Sequence, residues 1–276
     1  MLKSIFKDIT TDDIVLPSLP EVAYYLQQKA DTNAFSLSAL AGLIEKDPAL
    51  AARILKAAKS PFYRSIHPVE TVRDAVLKMG LQTTKTLAFL QLKHSSFTAR
   101  QPIIAMSIDQ IWSQSAHVAA ISCVIARRYK VAMPDRAMLA GLLHEIGSLM
   151  LLVHIDGKIE VPAHITSMAP LLDKQSVRFG TALLKHWSMD PELVDVVKNR
   201  HNWQREHTQP ADLTDIVLVA GCYRNALEGD VWGRANFHAI PAYRKLGLPT
   251  ANVAESLAVL SEVEKEIDET RASLVV

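Results

Sequence analysis

The sequence predicts an all-α protein, and three observations carry that prediction. Apolar residues recur at helical spacing along most of the 276 residues. Helix-opening pairs such as Asp47-Pro48 and Asp190-Pro191 begin successive segments, because Asp accepts free first-turn amides and Pro tolerates the first helical position. No strand-turn-strand pattern and no fixed-period repeat interrupts this order.

The elements follow in chain order. Pro20 to Ala30 places Val22, Ala23 and Leu26 about one turn apart, and Ser36 to Ile44 repeats the pattern with Leu37, Leu40, Ala41 and Ile44. Asp47-Pro48 opens a helix whose expected buried face is Leu50, Ile54, Leu55 and Ala58. Thr71-x-x-Asp74 is close to a capping box, and Gly80 is placed to end the helix it opens. Thr83 or Thr84 starts the next, with Leu87, Leu90 and Gln91. The pattern weakens at Arg100-Gln101-Pro102, an expected junction. A long helix then runs from about Met106 to Tyr129, where Arg127, Arg128 and Lys130 complement the helix dipole.

Pro134-Asp135 opens a helix that is apolar almost all round, through Met138, Leu139, Leu142, Leu143, Ile146, Leu149 and Met150. Such a helix belongs inside a core. Ile159-Glu160-Val161-Pro162 alternates, but its Pro favours an extended loop over a strand. Helices follow at Leu183 to Trp187, Asp190 to Asn199 and Asp215 to Leu227. Thr250 caps a last one, with Val253, Leu257, Leu260, Val263 and Ile267 on its apolar face. This helix is expected to pack on its own chain or to serve dimerisation.

Composition narrows the function classes. At 49% hydrophobic and 21% charged residues, the chain can bury a core and is not disordered. A net charge of +1 gives no strong field toward polyanions, so no nucleic-acid partner is expected. Cys123 and Cys222 cannot make a disulfide framework and suit a reducing, cytoplasmic compartment. The opening MLKSIFKDITTDD lacks an uninterrupted apolar core, so neither a signal peptide nor membrane insertion is expected.

Phosphate loops, nucleophile elbows and C-x-x-C pairs are absent from the sequence. His144-Glu145-Ile146-Gly147-Ser148 misses the H-E-x-x-H zinc pattern, since Ser148 stands where the second imidazole is needed. His144 and Glu145 remain the polar stripe of a buried helix. Neighbours on a helix point about 100° apart, so both could lean toward one ion. A hydrogen-bonded buried His–Glu pair explains the same residues equally simply.

Several separated motifs then agree in order. Leu16-Pro17-Ser18-Leu19-Pro20-Glu21-Val22, Ile44 to Leu50, Ala57-Ala58-Lys59-Ser60, Val72 to Gly80, Trp112-x-x-Ser115 with Ala119, Gly141 to Gly147, and Trp187 to His201 resemble the HDOD domain, the HD-related output domain. The resemblance covers about residues 10–228 and implies an all-helical, two-lobed fold: an N-terminal lobe over 10–100 and an HD-like lobe over 101–228, with 229–276 as an extension bearing one extra helix. It also implies a bacterial signalling role and descent from HD phosphohydrolases, whose ligands are a His, a His-Asp pair and a later Asp.

Carried over by position, the first ligand falls on Gln114, the central pair on His144 and Glu145, and the closing Asp on Gly221. Ser176 and His201-Asn202 stand where the cyclic-dinucleotide phosphodiesterase branch has further histidines. Hydrolysis by this fold requires metal-bound water. The expectation is therefore a regulator without catalytic residues or cofactor, acting through a protein partner or a small molecule such as a nucleotide, with a homodimer possible in principle. The alternative is a divergent metal-dependent phosphohydrolase using His144 and Glu145. A displaced site could draw on His117, three residues after Gln114, together with His201.

Overall fold

Helices supply every regular element in the computed structural model, which describes residues 16–29, 32, 34–60, 63, 68–156, 169–228, 239–248 and 264–274 and contains no strand among them. A first group comprises α1 (Glu21–Lys29), α2 (Leu37–Glu45), α3 (Pro48–Ala58), α4 (Val72–Met79), α5 (Leu81–Phe89) and the single turn α6 (Leu92–Ser95). Their ends follow the local chemistry. Ser36 caps α2 through Ala39 N, and Asp47 Oδ1 accepts from Ala49 N and Leu50 N at 3.0 and 3.1 Å. Thr71 and Asp74 form a reciprocal capping box, at 3.1 and 2.9 Å. Leu50, Ile54 and Ala58 are buried as expected, whereas Leu55 is only partly so.

One boundary differs from the sequence reading. Gly80 adopts φ 84°, a conformation glycine tolerates, and is the single residue between α4 and α5. Helix α5 therefore begins at Leu81, two residues before Thr83. The two threonines turn inward instead: Thr84 Oγ1 donates to Gly80 O at 2.8 Å, and Thr83 Oγ1 donates to Asp135 Oδ1 at 3.0 Å.

A second group comprises α7 (Pro102–Tyr129), α8 (Pro134–Leu143), α9 (Ile146–Ile155), α10 (Ala169–His186), α11 (Pro191–Asn199), α12 (Leu213–Leu227) and the short α13 (Pro241–Lys245). Helix α7 starts earlier than Met106 because Pro102 is accepted in the first turn, and Lys130 at φ 54° ends it. The apolar helix expected to run unbroken past Ser148 is instead two helices, and His144-Glu145 is the break. Glu145 leaves the helical region at φ −101°, ψ 15°. Beyond it, the α9 backbone presses against α10 so closely that a Cβ on Gly147 would lie 1.9 Å from Ser176 O. Only glycine allows that approach, which brings Asp173 and Ser176 of α10 toward the break.

Residues Pro134–Ile155 are long and apolar enough by composition to cross a membrane, but 78% of their most apolar window is buried against other helices. The two groups meet through α5 on α8 and through polar ties: Trp187 Nε1 donates to Pro17 O at 2.8 Å, and Gln27 Nε2 to Ser188 O at 3.0 Å. Helix α14 (Glu264–Leu274) packs on both α7 and α3, with Ile267 buried. The Ile159–Pro162 loop and the stretch from Thr250 to Val263 of the expected last helix lie outside the described residues.

Candidate functional site

The His144-Glu145 break faces α10 and the turn after α11, and these supply its partners. Arg200 follows the last residue of α11, with its side chain only 2% exposed. Its Nε lies 3.1 Å from Glu145 Oε1 and its Nη2 lies 2.7 Å from Asp173 Oδ1. Nη2 also donates to Ser176 Oγ, and Nη1 to Val197 O at 3.2 Å. His201 completes the bridge, with Nε2 2.9 Å from Glu145 Oε1 and Nδ1 2.7 Å from Asp173 Oδ1. Ser148, one turn after Glu145, donates to Glu145 Oε2.

Two carboxylates thus face a buried guanidinium and a half-exposed imidazole. Both His201 ring nitrogens point at carboxylate oxygens, which only accept, so the imidazolium is the form that satisfies both contacts. Burial works against that charge, but the bonds to Asp173 and Glu145 outweigh it and push the His201 pKa up to about 9. Burial likewise works to raise the Glu145 carboxyl; the His201 bond and the Arg200 charge overcome it and hold the group well below the usual carboxylate range. The His201 bond lowers Asp173 too.

His144 behaves differently. Its Nδ1 lies 2.7 Å from Gly141 O, an acceptor, so Nδ1 carries the proton and Nε2 keeps a lone pair. Burial pushes its pKa down to about 4, only partly opposed by Glu145. The ring is neutral at pH 7.

The remaining expected positions divide. Gly221 is buried in α12, where an added Cβ would meet the Trp203 indole at 3.5 Å. Trp203 in turn lies with its ring centroid 6.0 Å from that of His201, which links Gly221 to the cluster through an aromatic face rather than a ligand. His117, on α7, is surrounded by Arg271 and Asp268 of α14 and by Arg224 of α12. Burial, Arg271 and Arg224 push its pKa down to about 4, with Asp268 opposing. Neither Gln114 nor His117 makes a side-chain hydrogen bond or ion pair to the cluster among the described residues. The structure brings Glu145 and His201 together and keeps His144 beside them, while Arg224 feels the charge of Glu145 and acts on His117.

As arranged, Glu145 Oε1 is engaged by Arg200 and His201 and is not open to a divalent ion. A cation at that oxygen would have to displace a desolvated guanidinium or an imidazolium, while Glu145 Oε2 accepts from Ser148. Gln114 offers only a neutral amide oxygen, a weak ligand, and Gly221 has no side chain at all. Arg200 and Asp173 were missed in the sequence: Asp173 had no motif, and Arg200 sits next to the His201 that did.

A second cluster lies in the approach to α12. His207, Asp212 and Asp215 are, among the described residues, the group of three donors whose atoms all come within 4.8 Å of each other. A cation is already there. Arg205 Nη1 is 2.9 Å from Asp215 Oδ1 and its Nη2 2.6 Å from Asp212 Oδ2, while both Asp residues also form the α12 capping box.

The sequence model of the HDOD domain matches residues 16–203. A crystal structure of a proposed metal-dependent phosphohydrolase from Shewanella amazonensis SB2B superposes with a TM-score of 0.81 at 27% identity, covering 99% of this chain and 96% of that one. An HDOD domain protein of unknown function from Geobacter sulfurreducens gives 0.70 at 21% identity, with 98% and 96% covered. An uncharacterised protein of Treponema pallidum (strain Nichols) is 23% identical over 236 residues; the match spans 79% of this chain but 44% of that protein.

Proposed function

The chain belongs to the HDOD domain family, and from that premise we propose that it is a non-catalytic regulatory module of bacterial signal transduction, working through a protein partner or a small ligand. The unit that does this is taken as residues 10–228, divided near residue 100, with 229–276 as an accessory extension. One observation carries the reading: Glu145, the carboxylate beside the retained His144, is paired with Arg200 and His201. Arg200 and His201 supply the positive charge there, so the acidic residues hold the α9–α10–α11 junction together instead of activating water.

A second reading has its own support. The unprotonated Nε2 of His144 is a competent ligand atom, and the Shewanella amazonensis structure carries the phosphohydrolase name. In that reading His144 and Glu145 would bind the ion. The deciding experiment is a turnover assay of the purified chain with Mn, Fe or Mg on phosphomonoesters and phosphodiesters, with His144→Ala in parallel. The regulatory reading predicts background rates indistinguishable from the variant; activity lost in His144→Ala overturns it. Thermal-shift screening against nucleotides then separates the ligand arm from the protein-partner arm, since binding to the folded state raises its melting temperature.

A further inference from the structure

A cleft of about 560 Å³ opens between the segment that follows α11 and the short helix α13. The first contributes Glu206, His207 and Thr208 to its lining, and the second contributes Pro241, Arg244 and Lys245. That volume suits a small organic ligand. None of these residues belongs to the Glu145 cluster.

Both walls rest on fixed supports. Ala242 and Tyr243 seat α13 in the core, with Ile240 and Leu246 at its ends, and each is at most 4% exposed. Arg244 is exposed and Lys245 half-buried, so the cations are what α13 turns outward. Lys245 Nζ donates to Gln209 O at 2.7 Å, which ties α13 to the segment carrying Thr208. On that segment His207 Nε2 lies 3.0 Å from Asp215 Oδ2, a carboxylate with no exposure. A carboxylate oxygen only accepts, so Nε2 carries the proton and the ring is held in one orientation. Arg205 pairs with both Asp212 and Asp215 and offsets their charge.

The lining therefore presents two cations, Arg244 and Lys245, against one carboxylate, Glu206. A guanidinium meets two phosphate oxygens as a fork, and an ammonium adds a compact point charge. A dianionic phosphate uses both groups. Glu206 can accept from hydroxyls, and Thr208 can both donate and accept.

We propose that this cleft is a binding site for a small phosphomonoester with a hydroxyl-bearing body. Arg244 and Lys245 hold the phosphate, and Glu206 and Thr208 hold the hydroxyls. Nucleoside monophosphates and sugar phosphates share this chemistry. A ligand there joins α13 to the start of α12 through His207 and the Asp215 capping box. Helix α12 packs in turn on α7, α8 and α11. The consequence for signalling rests on the small-ligand arm of the reading above; the binding itself does not.

Titration calorimetry on the full chain tests the site, with adenosine monophosphate, ribose phosphate, inorganic phosphate and adenosine as probes. At least one ester should bind saturably, and adenosine should not. Arg244→Ala, an exposed substitution, should weaken the ester at least about tenfold through loss of a charged hydrogen bond. Glu206→Ala should weaken the ester and leave inorganic phosphate unchanged, and Glu145→Gln should alter neither. The tighter ester tells whether the body is a nucleoside or a sugar. No saturable binding of either ester overturns the site, as does an affinity unchanged in Arg244→Ala. Ester binding abolished by Glu145→Gln but intact in Arg244→Ala also overturns it, and places the ligand beside His144 with the small-ligand reading preserved. Metal-dependent turnover at His144 would end the regulatory reading and leave the Arg244 result standing.

Discussion

Arg200 Nε lies 3.1 Å from Glu145 Oε1, and the guanidinium that makes this contact is almost wholly desolvated, 2% exposed. The relationship is an ion pair rather than a well-aligned hydrogen bond, for Arg200 Nε has no hydrogen-bond acceptor in good geometry. Its value depends on completeness. Buried pairs contribute little net stability when intact, but removing one member leaves an uncompensated charge that costs far more.

The first prediction concerns that asymmetry. Arg200→Met should destabilise the chain by roughly 3 kcal/mol, as loss of one buried partner does, read from the urea midpoint. Glu145→Gln added to Arg200→Met should recover part of the loss, because the stranded carboxylate is then gone. Equal and additive losses would show that the two residues do not act as a pair.

The pH dependence has two limbs with opposite causes. His201 has its pKa raised from 6.5 to about 9 in the fold. Its contribution is full below pH 6.5 and is lost as pH climbs through 9. His144 and His117 are held near 4, so the unfolded chain takes up protons that the fold refuses as pH drops below 6.5. Stability should therefore peak near pH 6.5 and fall both ways, with the lowered Glu145 and Asp173 adding to the acid limb. His201→Gln should flatten the alkaline limb and leave the acid limb in place, as followed by thermal melts across pH.

Two glycines should respond oppositely to alanine. At Gly221 the new methyl meets Trp203 at an ordinary 3.5 Å, so Gly221→Ala should stabilise α12 by about 0.5–1 kcal/mol through backbone entropy. At Gly147 it would lie 1.9 Å from Ser176 O. Gly147→Ala should cost roughly 3 kcal/mol or more by forcing α9 off α10. Denaturant titration of both checks the packing directly. A destabilised Gly221→Ala would mean that the glycine is kept for room beside Trp203.

Much of this architecture was legible in the residues, for reasons that differ along the chain. Asp47-Pro48 and Thr71-x-x-Asp74 act within three residues of themselves, so local chemistry alone places the starts of α3 and α4. The break at His144-Glu145 was not legible. Its apolar pattern continues through Leu149, and the interruption depends on the contact between Gly147 and Ser176, 29 positions apart. The cluster itself was half visible. His144, Glu145 and His201 carry motif positions, whereas Asp173 joins Arg200 across 27 residues through a tertiary contact that no periodicity marks. His117 shares a face with Gln114 by spacing, but helix α14 and Arg224 determine its surroundings.

Calorimetric titration of Mn²⁺ into the purified chain bears most directly on the proposal that Arg200 and His201, and not a metal ion, supply the positive charge beside Glu145. The account predicts no saturable heat for the unaltered protein. Stoichiometric binding by the unaltered chain, abolished by Glu145→Gln, would contradict it.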